Sequence, residues 1–298
     1  MDSSISSDSG AIERLGALVE VALRDQVDAA IGTDGDLVPL AQALRYPIDA
    51  GGKRLRPILL LATVEALGGD VARALSSACA LELIHTFSLV HDDLPALDND
   101  DLRRGKPTTH VAFGEDVAVL VGDGLMALAF RLIIEDASVP PSVRLAVAGA
   151  LARATDRMVR GQYLDLHPVE QPDEVLLRRM CGLKTGCLLE AAIEMGLALV
   201  GADDDVADAY RALAREVGVG FQMVDDVLDA TATTDVLGKT AGADEANGRQ
   251  TWVRVLGLEQ TQERVEQSWA TSLALLADLS GEPQALRAVV ELVYQRRR

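Results

Sequence analysis

The chain has 298 residues, 49% of them hydrophobic but only 3% aromatic, and a formal net charge of −18. That charge excludes non-specific nucleic-acid binding, which needs a basic face, and the length allows one large domain or two ordinary ones. Ala, Leu and Val supply most of the apolar content, and Ala and Leu favour helix, while no run alternates apolar and polar residues long enough to make a sheet, so the fold class is all-α.

Residues 1–10 carry neither a basic n-region nor an apolar core and read as a disordered lead; residues 11–298 read as one helical domain. Residues 11–31 repeat apolar positions at helical spacing with charge opposite, the pattern of an outer helix. After a loop over 32–36, residues 39–46 form a short helix that Pro47 closes. Gly51 and Gly52 break the backbone ahead of a helix over 53–67. Its start points amide hydrogens outward, where phosphate oxygens bind readily, and Lys53 and Arg56, i and i+3, share a face there. The next helix, 71–93, carries His85 two turns before Asp92 and nearly on its face; His91 reads as structural.

Arg103 and Arg104 follow, with guanidinium forks suited to phosphate. A helix over 117–137 contains the most apolar stretch, 117–134, but Asp123 and Arg131 interrupt it, so it reads as a buried helix rather than a membrane span. A helix over 142–166 ends with Gln162 and Asp165 on one face. Residues 173–198 form a helix or kinked pair around Lys184-Thr185-Gly186, where the glycine lets the helix deform and free its carbonyls. Residues 203–217 and 220–230 form two helices, with Lys239 in the loop beyond. Helices over 259–279 and from 282 onward finish the chain; the closing Arg296-Arg297-Arg298 either caps the mouth of a site or is a solvated tail. Cys79, Cys181 and Cys187, odd in number and in apolar helical settings, read as buried hydrophobes in a reducing, cytoplasmic compartment. The simplest packing is one bundle of roughly ten to twelve helices with a polar site at one end of a central apolar cavity.

Two acidic clusters stand out. Residues 92–101 hold five carboxylates, Asp92, Asp93, Asp98, Asp100 and Asp101, directly before the two arginines. Such crowding persists only with positive charge among it. Pro95 ends the helix, so Asp98 comes from a turn that faces back towards Asp92. About 130 residues on, Gln222, Asp225 and Asp229 fall at i, i+3 and i+7, on one face of an otherwise apolar helix, with Asp226 beside them. Two clusters facing each other hold a polyanion through bridging metal ions, and magnesium shared with a phosphorylated substrate suits their oxygen donors.

Together with Gly51-Gly52-Lys53-Arg54-Leu55-Arg56-Pro57, these clusters resemble the trans-isoprenyl diphosphate synthase family, most of all its bacterial farnesyl diphosphate synthases and short-chain geranylgeranyl diphosphate synthases. The resemblance implies a helical bundle of the isoprenoid synthase type and head-to-tail prenyl transfer: an allylic diphosphate (dimethylallyl or geranyl) ionises, isopentenyl diphosphate attacks, and the released diphosphate takes the proton. It implies magnesium, on the order of three ions with substrate bound and manganese able to substitute, held by Asp92, Asp98 and Asp225, with Asp93, Asp226 and Asp229 supporting or acting through water. Gly52, Lys53, Arg56, His85 and Arg104 would hold isopentenyl diphosphate. Arg103, Lys184 and Lys239 would hold the allylic diphosphate, Arg249 would contact phosphate, Gln162 would face the cavity, and Thr185 and Gln222 would stabilise the carbocation. In the family a bulky aromatic five residues before the first aspartate closes the tail pocket after farnesyl. Phe87 stands there, with Ser88 next to it, although a helical wheel places Phe87 well off the Asp92 face. The family is usually homodimeric.

Three alternatives remain beside a farnesyl product. One is a geranylgeranyl diphosphate synthase with a longer pocket. Another is a terpene cyclase, which usually replaces the second aspartate set and has no use for Lys53 and Arg56. The third is a non-catalytic partner subunit, which would have lost part of one cluster.

Overall fold

The computed structural model describes residues 5–32, 35–231 and 249–295. They form an all-α bundle of helices α1 (Ile5–Ile31), α2 (Val38–Asp49), α3 (Leu55–Ala66), α4 (Val71–Asp92), α5 (Thr109–Phe113), α6 (Glu115–Ile134), α7 (Pro141–Leu166), α8 (Glu174–Cys181), α9 (Cys187–Val200), α10 (Asp204–Thr231), α11 (Trp252–Leu256), α12 (Leu258–Ala277) and α13 (Gln284–Gln295). Strands β1 (Leu102–Arg103) and β2 (Lys106–Pro107) make a minimal antiparallel hairpin.

The centre is α3, α4 and α9. From Ile58 to Val64 every residue of α3 is buried, as is every residue of α4 from Ser77 to Ile84, so these helices are apolar around most of their circumference, as core helices must be. The outer helix α1 buries one stripe, Leu15, Val19, Leu23 and Val27, at four-residue spacing. It starts at Ile5 rather than at residue 11, because adding turns to an existing helix costs little once the amphipathic stretch has nucleated it.

Pro47 lies inside the last turn of α2, which runs on to Asp49 instead of stopping at Tyr46. Missing one amide hydrogen there weakens the ladder but does not end it. The stretch expected as two helices around residues 203–230 is one continuous helix, α10. Its glycines serve close packing: a Cβ on Gly218 would lie 2.9 Å from Gly186 Cα, and one on Gly220 would lie 2.1 Å from the Tyr294 hydroxyl.

Helix α6 is long and apolar enough to cross a membrane by composition, as is α4. It packs on α4 and buries Ala118, Val121, Leu125 and Ala129, but Val119, Leu120 and Ile134 stay exposed. The expectation of a wholly buried helix is therefore right for only one of its faces. The three cysteines are free and buried, and burial pushes each thiol up to about 12, in keeping with a packing role.

Candidate active site

The first cluster forms where α4 ends. After Asp92 the chain turns through Pro95, and the Asp98 amide donates to the Asp92 carbonyl oxygen at 2.8 Å, so the turn returns Asp98 to Asp92 as expected. Burial, helped by Asp98 and Asp93 and opposed by Lys184 and Arg103, raises the Asp92 pKa to about 6.

The hairpin separates the two arginines. Arg104 and Gly105, both at positive φ (54° and 74°), form its two-residue turn, the geometry that favours tight hairpins. Arg103 turns to Asp93, with its Nε at 2.7 and 2.9 Å from the two carboxylate oxygens. Arg104 reaches instead to Gly52, where a Cβ would lie 2.7 Å from its guanidinium. Asp93 is thus turned to an arginine in this arrangement, not to the space between the clusters.

The Arg104 side leads into a cavity of about 430 Å³ lined by Gly52, Lys53, Arg56, His85, Arg104 and Glu82. The helix behind it starts at Leu55, so Lys53 lies on the preceding loop rather than on the helical face shared with Arg56. Arg54, between Lys53 and Arg56 in the sequence, is buried at the helix N-cap in a left-handed conformation. It donates to Glu82 and to the Ile48 carbonyl, each at 2.8 Å, and to Glu20 at 2.7 Å. Its charge is spent on holding the loop. Burial, with Arg56, Arg104, Arg103 and Arg54 around it, keeps His85 well below the usual imidazole range and therefore neutral. Phe221 of α10 and, from α13, Leu292 and Val293 also line this cavity. Nothing in the local sequence pointed to them, because only the packing of α13 against α3 and α10 brings them there.

His85 and Arg56 also line a second cavity of about 380 Å³, bounded by Phe87, Ser88 and Met158 and by Asp92, Gln162 and Lys184 at its polar part. Phe87 therefore does line the same cavity as Asp92, despite the wheel. Both amide atoms of Gln162 are buried here without a hydrogen-bond partner, an expensive state unless a ligand group or water meets them.

Between the clusters, Lys184 and Thr185 sit in a π-helical turn, Gly182–Gly186, the deformation expected at this glycine. Gly161 makes the turn possible from α7, since a Cβ there would lie 2.2 Å from the Lys184 amide nitrogen. Thr185 donates its hydroxyl to Gln222 Oε1 at 2.8 Å, Gln222 Nε2 donates to Asp226 at 2.8 Å, and Asp226 accepts the Trp252 amide at 2.7 Å. Asp226 is thus committed to orienting Gln222 and α11, while Asp225 and Asp229 lie half-buried on the unbroken α10.

Lys184 pairs with Asp165, and Arg249 bridges Asp165 and Asp98. Arg249, expected from the resemblance to contact phosphate, is therefore at the heart of the site. Among the described residues no group of three or more His, Cys, Asp or Glu side chains converges as a ready-made metal-ligand set. Lys184 and Arg249 supply the positive charge that Asp98 and Asp165 require. The hard carboxylate oxygens of Asp92 and of Asp98 beside it fit a divalent cation of the magnesium type. Lys239 and the arginines 296–298 lie outside the described residues.

Comparison with known proteins points one way. A family model described as polyprenyl synthetase matches residues 38–289. Geranylgeranyl pyrophosphate synthase 3, chloroplastic, of Arabidopsis thaliana is 45% identical over 253 residues, covering 81% of this chain and 70% of its own. Farnesyl diphosphate synthase of Geobacillus stearothermophilus is 41% identical over 286 residues, covering 93% and 94%. Among solved structures, an FPP/GFPP synthase from Zymomonas mobilis superposes with a TM-score of 0.85 at 34% identity, covering 97% of this chain and 99% of its own. A geranyltransferase from Helicobacter pylori complexed with magnesium and isoprenyl diphosphate also gives 0.85, at 27% identity with 99% of both chains covered.

Proposed function

The chain belongs to the polyprenyl synthetase family, and we propose that it makes farnesyl diphosphate from isopentenyl diphosphate and an allylic diphosphate. It is a short-chain trans-prenyltransferase. The observation that carries the reading is the pair of cavities, one basic and one largely apolar, that share Arg56 and His85 as a common wall. Two phosphorylated substrates with greasy tails need such a pair.

In the basic cavity Lys53, Arg56 and Arg104 bind the diphosphate of isopentenyl diphosphate, Gly52 allows Arg104 to approach, and neutral His85 adds a hydrogen bond without a charge. The allylic tail lies in the second cavity, with its diphosphate towards Lys184 and Arg249 and, beyond the described residues, Lys239. Arg103 holds Asp93 and steadies the turn that carries Asp98. Ionisation separates charge, so the residues that matter are those facing the charges as they form. Thr185 and Gln222 present dipoles to the allylic carbon, and Asp226 fixes which way the Gln222 amide points by accepting its N–H. Residues 11–298 act as one unit, and we assign no protein base.

The family generally uses a divalent metal. We assign magnesium, on the order of three ions and replaceable by manganese, to Asp92, Asp98 and Asp225, with Asp93, Asp226 and Asp229 supporting; when bound it supplies positive charge against the departing diphosphate. A homodimer is supported by the exposed apolar face of α6, and a cytoplasmic location by the three free thiols.

Phe87 in the wall of the tail cavity supports a C15 product. The competing C20 product is what the Arabidopsis relative is named for. Product analysis with labelled isopentenyl diphosphate and each allylic primer tests the choice. Farnesyl diphosphate as the end product is expected, with Phe87→Ala shifting it to longer chains; geranylgeranyl diphosphate from the unaltered enzyme overturns the C15 assignment.

A further inference from the structure

One wall of the tail cavity contains a histidine that the chemistry above does not use. At about 100° per residue on α4, Phe87 lies about 140° around from Asp92, with His91 between them at about 100° on the same side. The imidazole meets the Phe87 ring edge-on, with centroids 5.6 Å apart and planes at 89°. On its other side His91 Nε2 lies 3.1 Å from the Val119 carbonyl oxygen of α6. A carbonyl only accepts, so Nε2 carries the hydrogen. Gly122, one turn along α6, leaves the ring its space: a Cβ there would lie 2.0 Å from Nε2. These contacts leave the imidazole one orientation. Phe87, Ser88 and His91 all line the same cavity.

We propose that His91 is a positioning residue for product length: pinned against Val119 and Gly122 of α6, it holds the Phe87 ring in the tail cavity and so limits how far the growing chain extends. The proposal rests on the reading of this cavity as the place of the allylic tail. It assigns to the α4–α6 contact, and not to Phe87 alone, the limit on chain length.

The test compares His91→Ala, Gly122→Ala, Phe87→Ala and the His91→Ala/Phe87→Ala double variant, reading the ratio of C20 to C15 product with geranyl diphosphate as primer, alongside thermal unfolding of each protein. His91→Ala is expected to raise the ratio about three- to tenfold, the equivalent of one lost aromatic edge contact. Gly122→Ala should move it the same way by displacing the ring. In the Phe87→Ala background the His91 change should add nothing, since both act through one side chain. An unchanged ratio in His91→Ala, while Phe87→Ala lengthens the product, overturns the proposal and leaves the cavity reading standing. An unchanged ratio in Phe87→Ala as well defeats the cavity reading itself. If His91→Ala does not fold, Gly122→Ala decides, and an unaltered ratio there counts against the proposal.

Discussion

Arg249 joins Asp98, from the turn after α4, to Asp165 near the end of α7. A single guanidinium thus links two acids that are 67 positions apart in the chain (165 − 98). Each of the two forks of the guanidinium serves one carboxylate, something a point charge on a flexible stem does less well.

Arg249→Lys is therefore expected to lower kcat/KM for the allylic diphosphate by roughly ten- to hundredfold, the equivalent of losing a charged hydrogen bond worth about 1.5–3 kcal/mol. KM for isopentenyl diphosphate should move much less, because Arg249 is not part of the basic cavity. Steady-state kinetics with each substrate varied in turn will show whether the loss falls on one side.

Arg54 and Glu82 are a buried pair, so their removal should be read in stability rather than kinetics. Glu82→Ala leaves a guanidinium that is 4% exposed without its buried carboxylate, keeping only the more exposed Glu20 as an acidic partner. Breaking a buried pair costs about 3–5 kcal/mol, so a loss towards the lower end is expected. Arg56→Ala, by contrast, should mainly raise KM for isopentenyl diphosphate. Denaturant unfolding of both variants separates the two roles.

Gly161→Ala would press a methyl group against the Lys184 amide, within 2.2 Å. Backbone on both sides leaves little room to give, so a loss of about 1–3 kcal/mol in stability is expected, together with a fall in kcat as Lys184 and Thr185 shift. Thermal unfolding and single-turnover rates check the two halves of the prediction.

His85 is held neutral in the fold, below its ordinary value of 6.5. An unfolded chain binds a proton there as pH falls through 6.5 while the folded one does not, so stability is full above that pH and drops below it. His85→Gln should flatten the decline in melting temperature between pH 6.5 and 5. A decline as steep as that of the unaltered protein would mean other groups govern it.

Chelation should abolish prenyl transfer, and magnesium should restore it, as expected for the neighbouring carboxylates of a half-buried Asp92 and Asp98. The readout is pyrophosphate release before and after the metal is added back.

The amino-acid order by itself determined the helical class, the two aspartate clusters, the turn that returns Asp98 to Asp92, and the strained helix at Lys184-Thr185-Gly186. These depend on neighbours within a few residues: helix periodicity, a proline without an amide hydrogen, a glycine that lets a turn loosen. Only the tertiary structure decided that Arg54 is buried between Glu20 and Glu82 while Arg56 faces a cavity, that Arg103 and Arg104 part at the hairpin, and that Gly218 and Gly220 are packing contacts instead of a break. A basic residue or a glycine has the same local signature in either role. Its role is set by what lies across the interface, and that neighbour comes from a distant part of the chain through packing that no local pattern encodes.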